Sequence, residues 1–565
     1  MLESELPVWR FAEKSLPLLA LLGCVACGGD PPVGGDAGTR TIALPVFTPC
    51  PSGWRETVAA AFPELARCDP WPEEGRLECG SNEAHFPGEP GCSRIGAACP
   101  SDGVFASLPA EGVLFVSADA APGGDGSSTL PFATITDALT AAAPGETIAV
   151  GIGAYSEVIE LGPDVTIRGA CASGVTLSAP DDTAAPAVVM VTGSGVRLQD
   201  LTISGPTRGV VIDDGGSAAL EHVVISSVED GGVVVRGSAR LSGTDVSIRD
   251  VALAGLPSDS GTGIRLEGAG ELDLDRVAVR ESTGGIWVGT FGSSGSMGAL
   301  RDVVITSTLN AGLICVGCEL TVERIVIENA NGAAMLAQNG QMTLTDAVIR
   351  NVGPDPTFGA IGRAIFAEGT NLDATRVWIE RATEQAVTVG NGTGELLLQD
   401  AVIAETRSTS GDLRYGRALA VDRSARARLE RALITDNRDV AVVGFGSGTD
   451  IELVDTRVLT TRERECATTD CPDAPAGIGV GAYMGAQLRA ERFAIRDAAL
   501  CGLQLATDGR VDLDMGEVSG CPVGACVQVD GYDLTRLSAT VDYYDNGANL
   551  QATTLPVPTP GTPGL

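Results

Sequence analysis

An all-β solenoid, closed at its N-terminal end by one short helix and preceded by a small disulfide-rich region, is the fold the sequence predicts. Three observations predict it. A strand-like phrase recurs from residue 164 onward, one amphipathic segment at 131–143 stands just before the repeats, and five cysteines crowd into residues 50–99. Each recurring phrase is too short to bury its own apolar face, so only stacking of successive turns yields a continuous core.

At the N-terminus, residues 16–26, LPLLALLGCVA, form an apolar run. It is too short to span a bilayer and has the length of a signal-peptide h-region. The run ends in Leu21-Leu22-Gly23-Cys24, which resembles the bacterial lipobox. That resemblance implies cleavage before Cys24 and acylation of its thiol and its amine, and several acyl chains make a stable anchor where one does not. Cys27 is a second candidate, and a plain secretory signal is the alternative. Residues 1–23 are expected to be a lipoprotein signal peptide and 24–45 a lipidated Gly/Pro-rich tether. The expected location is the bacterial cell envelope, as an outer-membrane lipoprotein facing the periplasm or the outside.

Residues 46–110 are expected to form a small Cys-rich N-terminal region. The chain has 15 cysteines, and export to an oxidising compartment makes disulfides the default for them. Cys50, Cys68, Cys79, Cys92 and Cys99 are odd in number, so one pairs elsewhere, with Cys171 as the candidate. Cys315-Val-Gly-Cys318 has zinc or redox spacing. No second ligand pair stands near it and it lies between strands, so a structural disulfide or two inert thiols are expected. Cys466 and Cys471 could close a loop. Cys501, Cys521 and Cys526 allow one pair and leave one over.

In 131–143, Phe132, Ile135, Ala138, Leu139 and Ala142 share one helical face. From 164 the phrase is an aliphatic residue, two polar residues, an aliphatic or small one, any residue, then Ile or Val. It reads Leu198-Gln-Asp-Leu-Thr-Ile203, Leu220-Glu-His-Val-Val-Ile225, and so on through Ala490…Ile495. The final Ile or Val falls at 203, 225, 248, 279, 305, 327, 349, 379, 403, 434, 458, 495, 518 and 541. A second strand, often opening on glycine as in Gly209-Val-Val-Ile, lies between. This pattern is that of a right-handed parallel β-helix over 111–550, and it resembles the pectin-lyase-like superfamily. The resemblance implies that 131–143 is the capping helix, covering an open end whose backbone would otherwise lack partners. Residues 551–565, rich in Pro and Thr, are expected to trail off as a disordered tail.

The formal charge is −35, from 38 basic and 73 acidic residues. Nucleic acid is excluded as a partner, since phosphate binding needs a basic face. Two histidines, His85 and His222, are few for a metalloenzyme, and no metal site or cofactor is predicted. The resemblance implies a lateral active site: carboxylates holding Ca²⁺ with a basic proton abstractor in lyases, or paired Asp residues in hydrolases. The hydrolase-type Gly-His-Gly, Asn-Thr-Asp and Arg-Ile-Lys are absent. Asp181-Asp182 and Asp213-Asp214 lack a basic neighbour in sequence, and no catalytic residue is assigned. The two-residue polar slot holds Gln199-Asp200, Glu221-His222, Asp275-Arg276, Arg301-Asp302, Glu323-Arg324, Thr345-Asp346, Glu430-Arg431 and Glu491-Arg492. Stacking would align these as a column of mixed charge, either a solvated turn with cross-coil ion pairs or a face for sugar or Ca²⁺. Trp287, Trp378 and Tyr415 are either packing residues or sugar platforms.

The function expected is a non-catalytic, membrane-anchored envelope scaffold or binding surface with a polysaccharide or an envelope protein as partner. The alternative is a polysaccharide lyase or glycoside hydrolase with an atypical lateral site. A carboxylate cluster beside an arginine in an open groove would favour the enzyme, and an even charge ladder the scaffold.

Overall fold

The computed structural model describes residues 42–59, 62–101, 104–108, 111–252, 261–292, 294–357, 359–411, 413–465 and 476–560. The expected signal peptide, Cys24, most of the expected tether, Cys466, Cys471 and residues 561–565 lie outside them.

Between residues 196 and 506 a coil contributes one long strand bent at its middle and one short strand, the two running on unbroken in Glu271–Val288 and Ser296–Val316. Val196–Ser204 is followed by Arg208–Ile212, Ser217–Glu229 by Val233–Arg236, and Arg240–Ala252 by Thr262–Glu267. Every strand pairs in parallel with its counterpart in the next coil. The phrase's last residue forms one inward column, Ile203, Ile225, Ile248, Val279, Ile305, Ile327 and onward to Val518. Position 541 departs from expectation: Tyr543 stands opposite Val518, and Val541 lies opposite Gly516. Leu198, Leu220, Leu274 and Leu300 fill a second fully enclosed column.

The bend in the long strand is the two-residue polar slot. Its second residue is left-handed throughout, for example Asp200 at φ 53°, His222 at 55° and Arg276 at 54°. A left-handed residue turns the chain through a corner while both flanking halves keep pairing. The glycines opening the short strands answer to close approach: a Cβ on Gly209 would stand 2.5 Å from the carbonyl oxygen of Gly232 in the next coil.

Helix α1, Ile135–Ala141, closes the N-terminal end. Thr134 caps it by accepting from Asp137 N, and Glu157 accepts from Ile135 N and Thr136 N, both at 2.9 Å. These bonds satisfy orphan N–H groups of the first turn. A second, four-residue helix, α2, Thr535–Ser538, buries Leu537 against the last coils and was not expected from the sequence.

The Cys-rich region is not a free-standing subdomain. The described residues, from 42 to 560, belong to one compact unit, and those of 42–99 run lengthwise along the coils, opposite to the direction in which they stack. Ile42 O accepts from Arg457 at 3.1 Å, Val46 N donates to Asp400 at 2.8 Å, Trp71 Nε1 donates to Glu328 at 2.9 Å, and Cys99 bonds to Cys171. The tail is corrected as well. Residues 553–560 lie against the side of the last coils, with Leu555 and Val557 packed on an apolar cluster that includes Val443, Phe445 and Tyr483.

Disulfides join Cys50–Cys68, Cys79–Cys92, Cys99–Cys171, Cys315–Cys318 and Cys501–Cys526. Cys521, placed among the disulfide candidates, is a buried free thiol that donates to Ser519 O at 3.3 Å. It is the one left over because Cys501 and Cys526 face outward on adjacent coils while Cys521 packs in the interior. Burial pushes its thiol pKa up, as suits an inert group.

Candidate functional site: the lateral face of the short strands

The longest turns in the middle of the solenoid, 353–362, 405–416 and 460–477, all connect the end of a long strand to the start of the next short strand. Their described residues therefore stand at one corner of the coils, beside the start of the short strands. Parallel pairing aligns the outward face of these strands into a column of Arg265, Trp287, Ile314, Leu336, Phe366, Thr388, Ala420, Val443, Gly481, Gln504 and Cys526.

Beneath the turns is a buried ionic cluster that sequence reasoning missed. Arg363 Nη2 meets Glu384 Oε1 at 3.1 Å, and both are enclosed. Glu384 Oε2 also accepts from Ile361 N at 2.7 Å, fixing the 353–362 turn. Arg417 Nε donates to Asp439 Oδ2 at 2.7 Å, and Arg464 reaches the other oxygen at 2.8 Å. Arg417 stacks over Tyr415 and Phe445. The only sequence signal was register: Arg363 and Arg417 each open a short strand directly after a long turn. A buried carboxylate held by one or two guanidiniums has no free lone pair facing solvent, so neither pair is disposed for acid or base work on an external substrate.

The polar slot forms an alternating ladder. Down the stack its second residue runs Asp200, His222, Asp245, Arg276, Asp302, Arg324, Asp346, Arg376, Asp400, Arg431, Asp455, Arg492. Each Asp meets the base of the following coil. His222 Nδ1 lies 3.2 Å from Asp200, Arg276 Nε 2.6 Å from Asp245, and Arg324 and Arg431 grip Asp302 and Asp400 with two bonds of 2.7 and 2.8 Å each. Hydrogen bonds to Asp302, Asp346, Asp400 and Asp455 hold the guanidinium pKa values of Arg324, Arg376, Arg431 and Arg492 above their usual range.

The remaining residues singled out in the sequence separate. Asp181 and Asp182 are exposed in a turn. Asp213 meets Arg236 at 3.2 Å, and Asp214 accepts from Ser238 N and Oγ at 2.7 and 2.8 Å, which holds its pKa down. His85 is buried against Trp71 and accepts from Leu77 N at 2.9 Å. Trp378 lies under Phe47 and Arg67, and Tyr415 under Arg417, so neither offers a ring face to solvent. Trp287 is half-buried, edge-on to the exposed Phe291. Among the described residues, no three His, Cys, Asp or Glu side chains are grouped to hold a metal ion.

A family profile described as right handed beta helix region matches residues 186–361. No curated protein matches the chain. Among solved structures, an α-1,3-glucanase catalytic unit from Streptomyces thermodiastaticus is 16% identical, with a TM-score of 0.39 over 80% of this chain and 70% of that one. A periplasmic alginate epimerase is 11% identical, with a TM-score of 0.35 over 68% and 84% of the two chains. An alginate lyase from a Paenibacillus species is 14% identical, with a TM-score of 0.27 over 67% and 95%. The coil-by-coil parallel pairing of its strands and the profile over 186–361 make the chain a right-handed parallel β-helix. A fold by itself does not fix an activity, so function is argued from the site.

Proposed function

We propose that this protein is a non-catalytic, lipid-anchored scaffold of the bacterial cell envelope, an outer-membrane lipoprotein whose coils present an extended binding surface. One observation carries the reading: the carboxylates bordering the lateral face are already held by guanidiniums. Glu384 is held by Arg363, Asp439 by Arg417 and Arg464, Glu267 by Arg265 and Glu368 by Arg423. The ladder at the bend is consumed in the same way, pair by pair. What the face leaves for a ligand is packing area and hydrogen-bond donors.

Incubation of the purified chain from residue 28 with acidic and neutral polysaccharides, with and without Ca²⁺, tests this. The expected result is no unsaturated product and no new reducing end. Cleavage of any one polymer overturns the scaffold reading in favour of a lyase or hydrolase. For the anchor, Cys24→Ala in the full chain should release the protein from the membrane fraction, and retention there would remove the lipoprotein assignment.

A further inference from the structure

The tail occupies its groove as a peptide ligand would. Residues 553–560 read TTLPVPTP and carry no charge. Thr553 N still pairs with Val527 O at 3.2 Å, after which the chain leaves the sheet. Pro556, Pro558 and Pro560 have no N–H, and the residue before each proline is biased to extended backbone. Such a segment cannot add a strand to a sheet, and its main-chain handles are chiefly carbonyls.

The groove supplies side-chain donors to those carbonyls. Gln528 Nε2 donates to Leu555 O at 2.6 Å, Gln504 Nε2 to Pro556 O at 3.4 Å, Arg417 Nη2 to Thr559 O at 2.8 Å, and Tyr415 Oη to Pro560 O at 3.3 Å. These donors sit on three coils, Tyr415 and Arg417 sharing one. The tail therefore crosses the coils from that of Gln528 back to that of Arg417.

The donors are prepositioned from below. Tyr483 Oη donates to Gln504 Oε1 at 2.8 Å, which turns the amide so that its N–H₂ faces the tail. Asp439 holds Arg417. Gln504 and Arg417 are each 0% exposed. Arg417 Nη1 has no hydrogen-bond partner among the described residues. Phe445, Tyr483 and Val443 line the apolar floor under Leu555 and Val557, and the Cys501–Cys526 disulfide ties two coils beneath it. An aromatic floor with donors aimed at carbonyls is the chemistry by which extended proline-rich peptides are recognised.

We propose that this groove is a receptor site for uncharged, proline-rich, extended peptides, and that residues 553–560 are its resident occupant, which a proline-rich segment of a partner protein displaces. Beyond the last described tail residue the same outward column passes Thr388 and the buried Phe366 and then presents the half-buried Leu336, Ile314 and Trp287. A partner segment longer than the tail thus gains apolar contact that the tail's described residues do not use. The proposal rests on the binding-scaffold reading and names its ligand. Its test reads peptide binding alone, so it and the polysaccharide assay can fail separately.

The test uses the full chain with Leu555→Asp and Val557→Asp, which break the tail's grip and leave the groove intact. A fluorescein-labelled peptide TTLPVPTP is titrated and followed by anisotropy. The variant should bind saturably and at least about tenfold more tightly than the unaltered chain, whose tethered tail competes at high effective concentration. Adding Gln504→Ala and Gln528→Ala should abolish binding. Absence of saturable binding, equal binding of a peptide with its prolines replaced by alanine, or persistence after the Gln changes would each overturn the proposal. Far-UV circular dichroism verifies the fold. Should the double variant melt early, the milder Val557→Ser must show the same ranking of peptides, and equal affinity for all of them would sink the idea.

Discussion

Glu384 has a left-handed backbone at φ 76°, is wholly enclosed, and ties Arg363 to the amide of Ile361. Left alone, either charge would bear a desolvation penalty of several kcal/mol, so the pair holds only while both members stay. Glu384→Gln keeps an acceptor for Ile361 and leaves Arg363 without its counter-charge. It should cost about 3 kcal/mol in urea unfolding, and Arg363→Met with Glu384→Met should cost less than Glu384→Gln alone. Tyr155 makes a second prediction at this scale. Its hydroxyl donates to Gly151 O at 2.9 Å, accepts from Ala118 N at 3.1 Å, and is pushed up to a pKa of about 12 by burial. The ordinary phenol, near 10, is the unfolded reference. The folded state then binds the proton more tightly, so this contribution is complete below about pH 10 and is lost as pH rises towards 12. Tyr155→Phe should be less stable at neutral pH and should show a shallower fall in melting temperature between pH 10 and 12. An unchanged slope would place the alkaline limb on other phenols, such as Tyr483, whose pKa burial also raises.

The bend of the long strand shows how an element acquires its sequence. Asp is tolerated in left-handed backbone because its short side chain bonds locally; arginine has no such compensation and bears roughly 1 kcal/mol or more of strain. Arginine nonetheless recurs there, because the coil above always presents an Asp within bidentate reach. Asp400→Asn and Arg431→Asn, singly and together, should give a coupling of about 1–2 kcal/mol, above the value for an exposed pair. The reason is that Asp400 is 6% exposed and also accepts from Val46 N. Asp400→Asn should therefore weaken protection of the Val46 amide in hydrogen exchange, which Arg431→Asn should leave nearer to normal. The column itself was legible in the sequence, since a fixed slot in a stacked repeat must align. Its strict alternation was legible too, in residues such as Asp302, Arg324, Asp346 and Arg376, once the second residue of the slot is followed by itself. The buried Arg363–Glu384 and Arg417–Asp439 pairs were not legible. Their burial depends on turns of irregular length folding back over a face, and repeat periodicity carries no information about that.

At the scale of the molecule, the phrase's penultimate residue, read in sequence as any residue, turns out to carry meaning. In successive coils it is Val224, Ala278, Val304, Val326, Val348, Trp378, Val402 and Leu433, an outward apolar stripe broken at Ser247. Strand alternation puts this position on the outside, so a run of aliphatics there means that something covers it. The cover is the N-terminal segment, whose Phe47, Trp54, Leu65, Trp71 and Phe86 pack along the stripe and whose own loops are closed by Cys50–Cys68 and Cys79–Cys92. A solenoid coil touches only its neighbours, so stability along the stack is close to a sum of local terms. A brace running across many coils couples them, and the Cys99–Cys171 bond fixes its far end to the first coils. Trp71→Ala removes a ring that is 3% exposed, together with its bond to Glu328, at a cost of about 3–5 kcal/mol. Because the loss falls on the brace, limited proteolysis should cut within residues 42–98 while the β-helix fragment stays intact and binds a hydrophobic dye along the uncovered stripe. Adding reductant should deepen the effect by loosening the brace at Cys50–Cys68 and releasing its far end at Cys99–Cys171. If Trp71→Ala instead lowers the melting temperature of the whole chain in one cooperative step, with no early cut in the brace, the coils depend on the brace for their own folding and the two form one cooperative unit.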